Sequence, residues 1–305
     1  MYFTYLLQMI KLTRAHIGIA VVPSFILGCL FALLLGYDFN PFIFIWGFII
    51  IFLMYAAASY INDYYDFEAD KYNRQFGFSG GSGVLQQYPN LKNMTKNTAV
   101  GFIILSLSLT ILLSWMTSLP WWIIGYIAIG AFFIWFYSAP PLRFSYKSMS
   151  EIPHFIAGMM NTGWGYLLMT SKIDVQIMIF AIPLSLHLLN VILIFEIPDR
   201  EADIFGGKKN IIVNYGRQKS FLLISIIFWL STIYFFILAL TNWYSSFINF
   251  WYVTILSLLP SLISSLTYVK NPTSQKNATR FAIQNAVTII IFSNVLLVYF
   301  IYLIF

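Results

Sequence analysis

The sequence predicts an all-α integral membrane protein: about nine transmembrane helices in a bundle, arranged as two four-helix units plus a ninth helix. Three observations carry this. The chain is 60% hydrophobic and 9% charged over 305 residues, a balance that suits lipid rather than water as solvent. Its apolar residues gather in nine long runs without the period-two alternation of a membrane barrel strand. Its basic residues fall almost wholly on alternate connections between those runs.

The runs cover about 15–36, 42–61, 98–118, 121–137, 153–170, 175–197, 219–240, 246–268 and 281–304. Turn signals separate them at Asn40-Pro41, Leu119-Pro120, Pro140-Pro141 and Asn271-Pro272. Trp121, Trp122, Trp243, Tyr244 and Trp251 stand near run ends, where an interfacial aromatic belt belongs. The single Cys29 lies inside the first run, which rules out an intrachain disulfide and a cysteine-based metal site. The spans with their short connections account for residues 1–305 as a single transmembrane domain.

Charge sets the expected orientation. The start of the chain and the second, fourth, sixth and eighth connections hold 16 of the 17 basic residues; Lys172 is the exception. Under the positive-inside rule that face is cytoplasmic, the N-terminus lies inside and the C-terminus outside. Nine of the 11 acids share the same face, the others being Asp38 and Asp174. The cytoplasmic face therefore reads as the site, and the opposite face as a structural floor. The net charge of +6 is topological in such a chain and does not call for nucleic acid. The expected location is a bacterial or archaeal cell membrane, spanned many times.

Two acidic segments define the expected site. Asn62 to Asp70 reads N-D-Y-Y-D-F-E-A-D after the second run, and Glu196 to Asp203 reads E-I-P-D-R-E-A-D after the sixth. A shift of 133 positions lays Asp63, Asp66, Glu68 and Asp70 on Glu196, Asp199, Glu201 and Asp203. On a helix, steps of three and seven put Asp63, Asp66 and Asp70 on one face, with Asn62 beside Asp66. Glu68 and Glu201 point elsewhere, and Pro198 weakens the helical reading at Glu196. Hard oxygen ligands without His or Cys suit Mg²⁺, or Mn²⁺, rather than zinc. The expected metal-binding set is Asn62, Asp63, Asp66, Asp70, Asp199 and Asp203. Mg²⁺ binds through few carboxylates and completes its shell with water and substrate phosphates, so facing clusters imply a diphosphate between them. Arg74, Arg143, Lys208 and Lys209 are the expected diphosphate-binding cations. The plainer alternative is solvated loop acids paired with nearby Lys and Arg. Gly80-Gly81-Ser82-Gly83 and Gly206-Gly207 follow the acids, either for close approach to phosphate or as flexible loops.

At these residues the chain resembles the UbiA superfamily of intramembrane prenyltransferases. Asn62 to Asp70 is similar to that family's first aspartate motif, Asp199 and Asp203 to its second, and Tyr137-Ser138-Ala139-Pro140-Pro141-Leu142-Arg143 to its segment after the fourth helix. The resemblance implies a helical bundle around a central cavity that binds Mg²⁺ and a prenyl diphosphate. It implies Asp66, Asp70, Asp199, Asp203 and Tyr137 as catalytic residues, and ionisation of the diphosphate to an allylic carbocation that a small aromatic acceptor attacks. F-S-G-G-S-G-V after the first motif, and E-I-P-D followed by G-K-K, look closest to the 1,4-dihydroxy-2-naphthoate polyprenyltransferases of menaquinone synthesis. Two other expectations stand beside this one. A terpene cyclase of the same superfamily would ionise the diphosphate without an acceptor. A cation-binding transporter would need ionisable groups near the bilayer midplane, where His187 is the one clear candidate.

Overall fold

A computed structural model describes residues 2–14, 22–73 and 79–305. Eleven α-helices are found among them: α1 (Tyr2–Leu12), α2 (Val22–Leu34), α3 (Pro41–Tyr65), α4 (Val84–Gln87), α5 (Lys92–Met116), α6 (Ile123–Ser138), α7 (Glu151–Thr170), α8 (Val175–Phe205), α9 (Ile211–Leu240), α10 (Phe250–Lys270) and α11 (Gln275–Ile304). Each of the nine apolar runs contains one of these helices. Six stretches are long and apolar enough to cross a membrane among the described residues: α3, α5 with the turn before it, α8, α9, α10 and α11. α2 and α6 are shorter apolar helices. The chain is an all-helical integral membrane protein.

The helices fall into two compact units. The first comprises residues 1–18, 41–153 and 199–213, and so takes the second, third and fourth spans together with the last turns of α8. The second comprises residues 19–40, 154–198 and 214–305. Division by compactness thus differs from division by sequence repeat, because the first span groups with the fifth to ninth.

In the first unit α3 starts on Pro41, whose fixed φ and missing N–H suit a first helical turn. It packs along α5 and α6. The helix preceding the first run, α1, buries Met9 and Leu12 among Tyr60, Ile61, Val84, Leu85, Leu91 and Ala99. The Tyr60 hydroxyl donates to the Met9 carbonyl. This clamp fixes the end of α1, and with it Arg14, against the C-terminal half of α3. Outward residues such as Ile104, Ile111, Trp115 and Ile129 are exposed, as a lipid-facing helix surface requires.

In the second unit an aromatic core joins Phe31, Tyr166, Phe180, Phe235, Phe250, Phe292 and Phe300. Short polar side chains bond across the helices, as membrane helices do where apolar burial supplies no driving force. Thr232 Oγ1 donates to the Ser257 carbonyl (3.0 Å), Trp229 Nε1 to Ser265 Oγ (2.9 Å) and Asn285 Nδ2 to Thr267 Oγ1 (3.0 Å). Pro198, expected to weaken the helix, lies inside an unbroken α8. Neighbouring side chains take the carbonyls around it: Arg217 Nε donates to Ile197 O at 3.2 Å and Gln275 Nε2 to Pro198 O at 2.9 Å. The chain then leaves helical geometry at Gly216 (φ 79°, ψ 168°) within α9.

Candidate active site

All the acids expected to bind metal lie in the first unit, because Asp199 and Asp203 occupy the part of α8 that belongs to it. Glu196 is assigned to the second unit. The two acidic segments are built differently. α3 ends at Tyr65, so Asp63 is on the helix, Asp66 just beyond it and Asp70 in a 3₁₀ turn, Ala69–Tyr72. The four-residue register nevertheless continues, since the Asp66 amide donates to Asn62 O and the Asp70 amide to Asp66 O, both at 2.8 Å. Asp199 and Asp203 stand one turn apart on uninterrupted α8.

Lys208 joins the segments. Its ammonium lies 2.9 Å from Asp66 Oδ2 and 3.4 Å from Asp203 Oδ1. Asp66 also accepts from Asn62 Nδ2 (2.8 Å) and from the Tyr146 hydroxyl (2.9 Å). Asp203 accepts from Asn210 Nδ2 at 2.7 Å. Asp63 is held by the Arg14 guanidinium and by the amide and hydroxyl of Ser82. Arg14 also reaches Asn62 Oδ1 at 3.2 Å, and Asn62 Nδ2 donates to Ser138 Oγ at 3.2 Å. Asp199 accepts from Ser79 Oγ (2.8 Å) and Asn73 Nδ2 (3.1 Å).

The segment after the first motif therefore binds both clusters, with Ser79 on Asp199 and Ser82 on Asp63. Gly81 between them has φ +79°, and a Cβ there would lie 2.3 Å from Asp70 Oδ2. Only glycine lets the backbone pass so close to the acid. Of the two readings of this glycine run, the structure shows close approach, and the group approached is a carboxylate.

Asp63, Asp66, Asp70 and Asp203 are all buried. Burial, with Asp66 and Asp199 adding to it and Lys208 and Arg14 opposing, pushes the Asp70 carboxyl up to about 7. Burial alone would lower Lys208, but Asp203, Asp66 and Asp70 outweigh it and raise the ammonium well above the usual lysine range. Lys208 is thus a fixed positive charge. Burial and the adjacent Asp66 both raise the Tyr146 phenol, which stays a protonated donor.

The structure brings together Asn62, Asp63, Asp66, Asp70, Asp199, Asp203 and Lys208. The Arg143 guanidinium stacks 3.7 Å above the Tyr146 ring. Tyr137 is partly buried at the end of α6, where its carbonyl accepts from Ser145 Oγ at 2.9 Å. The Lys209 side chain is exposed, and its carbonyl accepts from the Ser148 hydroxyl. Arg74 lies outside the described residues. Glu68 is 71% exposed and pairs with Lys71 at 2.6 Å. Sequence reasoning missed Arg14, Asn73, Ser79, Tyr146 and Asn210. Ser79 stands inside the quoted F-S-G-G-S-G-V and Asn210 directly follows G-K-K, so both were within reach. Arg14 and Tyr146 carry no local signal.

Among the described residues no three acid or histidine side chains gather closely enough to cage a metal unaided. Two-carboxylate ligation, completed by a substrate's oxygens, fits that arrangement.

The fold is shared with solved structures. A UbiA homolog from Archaeoglobus fulgidus, bound to GPP and Mg²⁺, superposes with a TM-score of 0.69 at 15% identity, covering 95% of this chain and 99% of that one. A structure of digeranylgeranylglyceryl phosphate synthase gives 0.63 at 20% identity, with 97% of each chain covered. The apo structure of a UbiA homolog from Aeropyrum pernix K1 gives 0.63 at 14% identity, covering 90% and 98%. No curated protein matches the sequence significantly. Residues 21–296 match the UbiA prenyltransferase family, and the chain belongs to that family.

Proposed function

We propose that this protein transfers a prenyl group from a prenyl diphosphate to a small aromatic acceptor, with Mg²⁺ as cofactor, in the synthesis of a menaquinone-like quinone. In this reading the site lies at the cytoplasmic ends of the helices, with the N-terminus inside and the C-terminus outside, as the distribution of basic residues supports. One observation carries the reading: carboxylates from two segments 133 positions apart share a single cation, Lys208, at 2.9 and 3.4 Å. Like charges gather in a buried place only around positive charge, and this is the position a metal-bound diphosphate would complete. The Archaeoglobus fulgidus homolog has been solved with GPP and Mg²⁺ and with DMAPP and Mg²⁺.

The donor set fits Mg²⁺. Asp66, Asp70, Asp199 and Asp203 offer hard carboxylate oxygens and Asn62 an amide oxygen, whereas Asp63 is already engaged by Arg14 and Ser82. When bound, Mg²⁺ supplies Lewis-acid neutralisation of the diphosphate oxygens. Lys208 and Arg143 contribute fixed positive charge to the departing group, without reorganisation at the moment of reaction. The allylic C–O bond breaks with its electron pair leaving on the diphosphate. A ring carbon of the acceptor then forms the new C–C bond and releases its proton. Apolar helices keep water from the cation.

The test is mass spectrometry of products from purified protein with Mg²⁺, prenyl diphosphates of several lengths, a panel of aromatic acids and a prenylated glyceryl phosphate. A prenylated aromatic acid is the expected product, with a dihydroxynaphthoate preferred. A cyclic hydrocarbon formed without acceptor would replace this reading by a cyclase. Transfer only to the glyceryl phosphate would move the acceptor class from ring carbon to alcohol oxygen.

A further inference from the structure

Asp66 has two carboxylate oxygens, and most of their lone-pair directions are taken. Oδ2 accepts from Asn62 at 2.8 Å and from Lys208 at 2.9 Å. Oδ1 accepts from the Tyr146 hydroxyl at 2.9 Å. A carboxylate offers about four lone-pair sites, so the direction left for an incoming cation is on Oδ1. The Tyr146 hydroxyl decides where that direction points.

The same ring has a second occupant. Arg143 lies with its guanidinium carbon 3.7 Å from the ring centroid, a cation–π contact, and Lys208 Nζ lies 5.7 Å from the same ring. Arg143 Nε is buried and has no hydrogen-bond partner among the described residues. A buried N–H left unmade is costly, so this one awaits an acceptor oxygen. The turn presenting both residues is pinned. Arg143 sits at φ +47°, the Tyr146 amide donates to Arg143 O at 2.9 Å, and Ser145 Oγ donates to Tyr137 O at 2.9 Å. A left-handed arginine is strained, and the surrounding bonds must hold it in place.

We propose that Tyr146 is the positioning residue that sets an acid and a cation of the site in register, its hydroxyl aiming Asp66 at a divalent metal and its ring face aiming Arg143 at the diphosphate. The assignment rests on reading the site as one for a metal–prenyl diphosphate pair. It gives the two halves of one tyrosine separate jobs, and separate variants therefore split them. Tyr146→Phe removes the hydroxyl and keeps the ring. Tyr146→Leu removes both.

The experiment uses the full-length protein in detergent and binding rather than turnover. Mn²⁺ is titrated and followed by electron paramagnetic resonance, and inorganic diphosphate is titrated by calorimetry in excess Mn²⁺, with melting temperature recorded for each variant. Tyr146→Phe is expected to weaken Mn²⁺ binding about tenfold or more, as loss of an outer-shell partner does, while diphosphate binding changes less than about threefold. Tyr146→Leu is expected to weaken diphosphate binding in addition, by about fivefold or more. Mn²⁺ binding unchanged in Tyr146→Phe overturns the proposal, and that arm stands even if Tyr146→Leu fails to fold. Identical diphosphate affinity in two folded variants overturns the role of the ring. Wild-type protein that binds neither Mn²⁺ nor diphosphate overturns the prenyl diphosphate reading itself, a result no Tyr146 variant can produce.

Discussion

Asp63, Asp66 and Asp70 sit where α3 stops, whereas Asp199 and Asp203 sit on a helix that continues past them. The first cluster is held by groups from separate stretches of the first unit: Arg14 after α1, Ser138 at the end of α6, Tyr146 in the turn after it, Ser82 in the glycine loop, and Lys208. The second relies on helical spacing, aided by Ser79, Asn73 and Asn210. One cluster is placed by tertiary contacts, the other mainly by secondary structure. The helix sets the spacing of Asp199 and Asp203, but Ser79 and Asn73 meet Asp199 across 120 and 126 positions, so substitutions of partners should act at long sequence range in both clusters.

The largest structural effect is expected at the residue common to both. Lys208→Met leaves Asp66 and Asp203 buried without their shared cation. Breaking a buried pair from one side costs about 3 kcal/mol or more, and the variant should melt well below wild type in EDTA at pH 8. Added Mg²⁺ should recover part of the loss. A melting temperature equal to wild type would mean that the acids are not held together by this lysine.

A smaller contrast lies between the two loops. Gly81→Ala places a methyl 2.3 Å from Asp70 Oδ2, while Gly207 has φ +75° and open space. Gly207→Ala should cost about 1 kcal/mol, the left-handed penalty alone, with activity retained. Gly81→Ala should cost more and also lower prenyl transfer, because Asp70 must move. Equal behaviour of the two variants would remove the glycine loop from the site.

The acidity of Asp70 gives a pH test of the same cluster. Its folded pKa of about 7 lies above the ordinary value of 3.8. Between these values the folded state binds more protons than the unfolded one, so stability falls as pH rises through the window. In EDTA the protein should lose melting temperature from pH 5 to pH 8, and Asp70→Asn should flatten that slope. A slope unchanged in the variant would assign it to another group. Smallest of all, Glu68→Gln removes one partner of an exposed pair and should shift stability by no more than about 0.5 kcal/mol with unchanged turnover.

Much of the fold was legible in the sequence because lipid imposes a simple rule: long apolar runs become helices. Every one of the nine runs holds a helix. The residues opposing that rule were harder to read. Pro198 argued against helix at Glu196, yet α8 passes through it unbroken, with Arg217 and Gln275, both further along the chain, bonding to the Ile197 and Pro198 carbonyls. α1 was missed because its apolar face is too short for a span and packs on α3 instead. The acids of the site were visible as a repeated pattern. Their partners were not, since Arg14 meets Asp63 across 49 positions and Tyr146 meets Asp66 across 80. A side chain recruited once, from a distant turn, leaves no periodicity to detect.

The central claim is that two acidic segments form one site, and a double-mutant cycle tests it most directly. Prenyl transfer would be measured for Asp66→Asn, Asp199→Asn and the double variant, each checked for folding by melting temperature. The account predicts that either single change lowers transfer about a thousandfold or more and that the double variant is hardly worse, because residues acting as a unit are not additive. Near-normal turnover in either single variant, or losses that multiply as for independent sites, would contradict it.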